Sequence, residues 1–362
     1  MNIHRPVLLL DKDKCENNMA RMLLRAKKNG CRLEPHFKTH QSAEIGRWFA
    51  DLGIEAITVS SLKMAEYFAR HGWKNVTVAF PVNPDEIELI NSLSEKIHLT
   101  VLISCTETVS KISSGINHKT FYLIEIDNGY HRSGIDPDDL ETIENIIDLT
   151  RDTHLKFKGF HCHSGNTYQA GNEEEIIRIG KETIEKLAGL KIIFSALKPE
   201  MEISCGDTPS CSLIDSFEGI DIIRPGNFIF YDLQQLRLGV CQWSDIAVAL
   251  ACPVVAVYPE RKEAVINGGA VHLSKDYAVN PDGSKNFGAV CRFKGRGWDE
   301  PIKDVYVKSV SQEHGIISFP ENQSFEVGEI LCILPAHSCL TADCMRQYLT
   351  TDGKIIEMMP KV

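Results

Sequence analysis

Arg32-Leu33-Glu34-Pro35-His36-Phe37-Lys38-Thr39-His40 is the stretch on which the reading of this chain turns. Side chains two apart in a strand face the same way, so an extended run over Arg32–Lys38 puts His36 and Lys38 on one side. Seven more segments of strand character follow it: Ile54–Ser60, Asn75–Phe80, Ile97–Ile103, Phe121–Asp127, Leu155–His163, Glu202–Cys205 and Ile220–Arg224. Segments of helical periodicity lie between them. Asn17–Lys27 sets Met19, Met22, Leu23 and Ala26 at three- and four-residue spacing, and Glu174–Leu187 behaves similarly. Eight such repeats with short connections predict an α/β fold, a (β/α)8 TIM barrel rather than an open doubly wound sheet.

Barrels of this kind keep their chemistry at the C-terminal ends of the strands, where Lys38 falls. Burial there disfavours the ammonium and frees the amine as a nucleophile. The competing reading is a surface lysine in a loop, because most lysines are exposed. Pro35 also sits awkwardly inside a central strand. Spacing alone leaves both readings open.

The pattern changes near residue 245. The runs AVALACPVVAVY, EAVIN, IKDVYVKSV, GIISF and EILCIL are short and separated by Gly, Pro, Asn and Asp, and helical periodicity largely disappears. This predicts a second, C-terminal antiparallel β domain over 246–362, joined by a strand from residues 1–12, with the barrel over 13–245. The opening RPVLLL precedes the first barrel helix and has no other obvious place to pair.

Composition excludes several function classes. The chain has 362 residues, 43% hydrophobic and 24% charged, enough to bury the core of a large barrel and a smaller domain. Its net charge is −10 with no Lys/Arg block, which argues against nucleic acid or an anionic membrane as partner. No apolar stretch is long enough to span a bilayer, and MNIHRPVLLLDKDK is too broken by charge for a secretory signal. Twelve irregularly spaced cysteines then read as mostly free thiols in a reducing cytoplasm.

Four further motifs bear chemistry. Asp127–Gly134, DNGYHRSG, presents Arg132 from a glycine-punctuated turn, where a guanidinium suits either an anionic ligand oxygen or a neighbouring carboxylate. His161 and His163 share a face near a strand end, and a lone histidine in an apolar strand is more often a satisfied core residue. Gly206-Asp207-Thr208-Pro209-Ser210 follows a strand, with a proline suited to a first helical turn; N–H groups and a hydroxyl there make a phosphate cradle. His337-Ser338-Cys339 offers an imidazole and a thiol, donors that suit zinc better than magnesium or calcium. An H-x-C pair by itself falls short of the three or four ligands of a stable site.

PHFKTH, followed by QSAEIGRW, resembles the Schiff-base lysine segment of the D-threonine aldolase and D-serine dehydratase family, within the alanine-racemase-like, fold-type III pyridoxal-phosphate enzymes. The likeness recurs in order through IDNGYHRSG, GFHCHSGNTY, GDTPS, RPGNFIFYD, GGAVHLSKD, QEHG and PAHSCLTAD. It implies pyridoxal 5′-phosphate on Lys38, which also moves the substrate's α-proton. Arg132 then meets the cofactor's phenolate oxygen, His163 packs on its ring, and Tyr168 lies close to cofactor and substrate. Gly206, Asp207 and Thr208, with Gly226 and Asn227, hold the phosphate, and Arg224 meets the pyridine nitrogen. His337 and Cys339 bind Zn2+ (or Mn2+), which holds the substrate's carboxylate and β-hydroxyl.

The activity so implied is a metal-dependent lyase of small β-hydroxy D-amino acids. It is either D-serine dehydratase-like, giving keto acid and ammonia, or D-threonine aldolase-like, giving glycine and an aldehyde. Cys339 favours dehydration, since the aldolase pattern is associated with Asp and a manganese-like ion at that position. Two alternatives stand beside it. A racemase of the same fold needs a second base, and Asn267–Asp276 lacks the expected tyrosine, although His272 lies within it. A non-catalytic PLP-binding protein resembles the barrel alone, so the added β domain and the H-x-C pair argue against it. The resemblance also implies a head-to-tail homodimer.

Overall fold

The structure, a computed structural model, describes residues 1–361. The chain forms two compact units, one of Arg21–Lys38 with Gly46–Gly226, the other of Met1–Ala20, Thr39–Ile45 and the chain from Asn227 onward. The N-terminal strand β1 (Val7–Leu10) belongs to the second.

The first unit is built on β2 (Arg32–Leu33), β3 (Ala56–Val59), β4 (Asn75–Pro81), β5 (His98–Ile103), β6 (Thr120–Ile126), β7 (Leu155–Cys162), β8 (Glu202–Cys205) and β9 (Ile222–Ile223). They pair in parallel in the order β2-β9-β8-β7-β6-β5-β4-β3. The two edges meet at Thr58: Phe37 N–H donates to its carbonyl at 2.8 Å, and its own N–H donates to the Pro35 carbonyl at 3.0 Å. That joint nearly closes the expected barrel. Parallel strands covered on both faces read as unbroken apolar runs, and Leu99–Ile103 is buried at every position. Helices between the strands start at local caps: Ser61 Oγ accepts from Met64 N–H, Asp139 Oδ1 from Thr142 N–H and Asn172 Oδ1 from Glu175 N–H.

One strand departs from expectation. β2 ends at Leu33, not Lys38. Pro35 has no N–H to give to a ladder, so the chain continues only as a single bridge, His36 to Thr58, and then turns over Phe37–His40. Lys38 therefore sits in a turn beyond the strand end, with its side chain exposed rather than buried.

The second unit carries β10 (Val248–Tyr258), β11 (Glu263–Asn267), a short hairpin of β12 (Ala278–Val279) and β13 (Lys285–Asn286), then β14 (Gly288–Lys294), β15 (Gly297–Val310), β16 (His314–Ser318), β17 (Ile330–Pro335), β18 (Gln347–Thr350) and β19 (Ile355–Glu357). The ring β10-β11-β16-β15-β14-β17 returns to β10 and is antiparallel throughout. Alternation sends Leu250, Cys252, Val254, Ile266, Val290, Ile317 and Ile333 into one buried cluster. β1 lies antiparallel to β10 and parallel to β18, so the sheet is mostly rather than wholly antiparallel. The segment after Asn227 belongs to this unit through its backbone, with Ala247 N–H on the Phe230 carbonyl at 2.8 Å and Gln234 N–H on that of Ala336 at 3.2 Å.

Candidate active site

In the barrel unit the candidate residues gather at the C-terminal strand ends. The end of β8 is tied to both of its neighbours, β7 and β9. Gly206 N–H donates to the Cys162 carbonyl at 3.2 Å, and Arg224 N–H to that of Cys205 at 2.9 Å. A Cβ built on Gly206 would lie 2.7–2.8 Å from the backbone of Arg224, a distance side chains do not tolerate, so only glycine permits this approach. Beyond Gly206 the Thr208–Leu213 helix begins. Its N-cap is Asp207, whose carboxylate accepts from Ser210 N–H at 2.7 Å, Ser210 Oγ at 2.5 Å and Thr167 Oγ1 at 2.8 Å. Burial outweighs those hydrogen bonds and pushes this carboxyl up to about 6. The Asp207 side chain thus serves the helix start. Thr208 is fully buried, its N–H donates to Tyr168 Oη at 3.2 Å, and among the described residues its Oγ1 meets no partner.

Arg224 lies almost wholly inside the barrel. Its Nη1 donates to Glu34 Oε2 at 2.6 Å and to Thr58 Oγ1 at 2.9 Å. Its Nε and Nη2 are buried without a partner among the described residues. A guanidinium held on one side, with two donors left over, is suited to an acceptor on the other. Sequence reading missed Glu34 and Thr58. The one available signal for Glu34 was its place two residues before His36.

β6 and β7 supply the aromatic side. The turn after β6 is tied by Asp127 Oδ1, which accepts from Gly129 N–H at 2.9 Å and His131 N–H at 3.0 Å. It carries Arg132 out to solvent, over the ring of Tyr130. His163, just past β7, donates from Nδ1 to the Gly206 carbonyl at 2.6 Å, which leaves Nε2 with its lone pair. Burial first, and then the charge of Lys38, bring this imidazole down to about 3, so it is neutral. Tyr168, partly exposed, lies on a short 3-10 turn with its ring centroid 6.4 Å from that of His163. His161 bonds Ser204 Oγ through Nδ1 at 3.0 Å and is a satisfied core histidine.

Lys38 donates its backbone N–H to His36 Nδ1 at 3.3 Å. Burial, and next the charge of Lys38, hold His36 well below the ordinary histidine range. Gly226, half-buried, ends the barrel unit.

The second unit holds Asn227, His337 and Cys339. Asn227 Nδ2 donates to Asp232 Oδ2 at 2.8 Å, Ser338 Oγ at 3.0 Å and Cys339 Sγ at 3.4 Å, while its Oδ1 is buried and unpartnered among the described residues. His337 Nδ1 donates to Asp276 Oδ2 at 2.7 Å, which leaves Nε2 as the ring's other nitrogen. Burial opposes charge on His337 and Cys339 alike. Even so, Asp276 and then Cys339 hold the imidazole well above its usual range, and His337 holds the thiol below its own. Thr39 Oγ1 lies 3.4 Å from Cys339 Sγ. Among the described residues no three His, Cys, Asp or Glu side chains gather as a metal-ligand set. His337 and Cys339 could thus offer a metal two donors, with the histidine oriented by Asp276. Asp276 was the part missed, although it closes the GGAVHLSKD motif. His272 accepts from Gly269 N–H at Nδ1 and lies 3.9 Å from Glu313.

Whether pyridoxal phosphate fits can be judged from the orphaned groups. A buried hydroxyl beside a helix start suits a phosphate, and two buried guanidinium donors suit a ring nitrogen or another acceptor. A neutral imidazole suits the face of an aromatic ring. The barrel residues fit the group.

Comparison with known proteins is consistent with that chemistry. The family model "Alanine racemase, N-terminal domain" matches residues 10–234, and "Putative serine dehydratase domain" matches 247–351. The chain is 28% identical to a D-serine dehydratase of Dictyostelium discoideum, over 98% of this chain and 95% of that one. It is 26% identical to a D-threo-3-hydroxyaspartate dehydratase of Delftia sp., over 98% and 96%. A solved D-threo-3-hydroxyaspartate dehydratase mutant in a metal-free form has the same fold, with a TM-score of 0.93 at 24% identity, covering 100% of this chain and 99% of that one.

Proposed function

From the premise that the chain belongs to the alanine racemase N-terminal-domain family, we propose that it is a pyridoxal 5′-phosphate- and divalent-metal-dependent lyase of β-hydroxy D-amino acids, working as a dehydratase. The observation that carries this is the set of buried, unpartnered donors at the ends of β8 and β9, Thr208 Oγ1 with Arg224 Nε and Nη2. The names of the two relatives, both dehydratases, support the reaction class. When bound, the cofactor supplies an electron sink for the substrate's α-carbon, and the metal a Lewis acid for its β-hydroxyl.

The chain's own residues divide the remaining work. Lys38 bonds the cofactor and moves the α-proton at its Nζ. Thr208 Oγ1 and the N–H groups of Gly226 and Asn227 would grip the phosphate; the N–H groups of Gly206 and Thr208 are taken by the Cys162 carbonyl and Tyr168 Oη. Arg224 would offer its spare donors to the pyridine nitrogen, and because arginine keeps its own protons that nitrogen would stay unprotonated. His163, neutral and fixed by the Gly206 carbonyl, would pack on the ring and Tyr168 would stand near the substrate; Arg132, exposed in this structure, would have to swing back from solvent to meet the phenolate side. His337 and Cys339 hold the metal, zinc by their donor softness, and Asp276 sets the His337 tautomer. With the α-proton taken by Lys38, the electron pair it leaves would expel the β-hydroxide to the metal held by His337 and Cys339, and the unsaturated amine product would hydrolyse to keto acid and ammonia. A head-to-tail homodimer working in the cytoplasm completes the proposal. The twelve free cysteines suit a reducing compartment.

The test is a spectral and product assay of purified protein supplied with cofactor, D-serine or D-threonine, and zinc or manganese. The expected result is an absorbance band that disappears in Lys38→Ala, with metal-dependent ammonia and keto acid from D-serine. Glycine and acetaldehyde from D-threonine would transfer the chain to the aldolase reaction. No Lys38-dependent band would refute the assignment.

A further inference from the structure

Glu34 lies within the barrel between two arginines. Its Oε2 receives Nη1 of Arg224 at 2.6 Å, and its Oε1 is 3.5 Å from Nη2 of Arg32. Arg32 in turn reaches Glu202 at 2.7 Å, and Lys158 meets the same carboxylate at 2.9 Å. Arg32, Glu34, Lys158 and Glu202 line a cavity of about 580 Å³ at the N-terminal ends of the strands. The two ends of this chain of charges differ sharply. The side chains of Arg224 and Glu34 are 1% and 6% exposed, that of Arg32 58%. Interaction between the buried pair is therefore screened little, while the outer pairs are screened by water.

We propose that Glu34 is a positioning residue for Arg224, fixing which guanidinium edge stays free and cancelling the net charge that Arg224 presents to its ligand. The inference rests on the reading above, in which Arg224 meets the cofactor's ring nitrogen. Geometry supports a specific role over a generic buried pair. Glu34 and Thr58 both take Nη1, so Nε and Nη2 are left on the other side, buried and unpartnered among the described residues. His36 and His161 also feel the charge of Arg224, and burial, before any charge effect, holds both well below the ordinary histidine range. Glu34 is the acidic side chain in direct contact with Arg224.

The experiment uses the full chain loaded with pyridoxal phosphate and follows its Lys38-dependent band against pH. Removing the counter-charge in Glu34→Gln leaves a net positive charge that disfavours the protonated form of the bound cofactor. The midpoint is expected to fall by about one pH unit. Glu34→Asp keeps the charge but draws it back, so its midpoint should lie between the other two. A Glu34 of merely structural importance would lower the melting temperature and leave the midpoint in place, which would overturn the inference. Should Glu34→Gln not fold, a Glu34→Asp midpoint equal to wild type overturns it equally. A wild-type chain with no Lys38-dependent band refutes the functional reading itself; a band with an unmoved midpoint refutes only the role of Glu34.

Discussion

Asp207 makes the stability of this protein depend on pH in an unusual direction. The residue is buried, and its carboxylate takes three hydrogen bonds from Ser210 and Thr167. Desolvation still dominates, so the group titrates near 6 in the folded chain against an ordinary 3.8. Between those two values the folded chain keeps a proton that the unfolded chain has lost. Stability contributed by this group is therefore greatest at low pH and falls as pH rises through the folded value, opposite to the usual paired carboxylate. Two pH units at about 1.4 kcal/mol each give about 3 kcal/mol. Asn in its place keeps a competent N-cap and cannot titrate. Denaturant unfolding of wild type and Asp207→Asn at steps from pH 4 to pH 7 isolates the effect, since other titrations cancel in the difference. Wild type should lose about 2.4 kcal/mol relative to the variant across that range, the rest of the roughly 3 kcal/mol lying below pH 4. A difference that stays constant, or that turns in favour of wild type as pH rises, refutes the reasoning.

Three other outcomes are expected. Gly206→Ala places a methyl 2.7–2.8 Å from backbone that has no rotamer to yield, so stability should fall by about 1–3 kcal/mol. Cofactor affinity should drop with it as Arg224 and Thr208 are pushed apart; unfolding curves and cofactor titration check both. Thr208→Val removes a buried hydroxyl that has no partner among the described residues. Without cofactor the variant should be as stable as wild type or up to about 1 kcal/mol more so, while it binds the cofactor more weakly. Equal affinity by titration would argue against a phosphate contact. Asp276→Asn loses the charged partner of His337 Nδ1 and should weaken zinc binding by about 10- to 100-fold, read by competition with a chromophoric chelator.

The repeat of strands and helices was legible in the chain because it is written in local periodicity, and local periodicity follows from backbone geometry. Seven of the eight barrel strands lie within two residues of their expected bounds. The change to short strands near residue 245 was equally visible, and so were the motifs at the strand ends. Tertiary structure decided the remainder. Pro35 was recognisable as a poor strand residue, yet only the pairing with Thr58 determined that β2 stops at Leu33 and that Lys38 rides an exposed turn. Asp207 read as part of a phosphate loop, and only the fold showed that its carboxylate caps the helix that follows. Glu34 and Arg224 are 190 residues apart, and Asp276 and His337 are 61 apart. No pattern within either segment announces its partner. Such pairs form because the barrel and the ring each bring distant strand ends together, and a buried charge there must take whichever counter-charge that closure supplies.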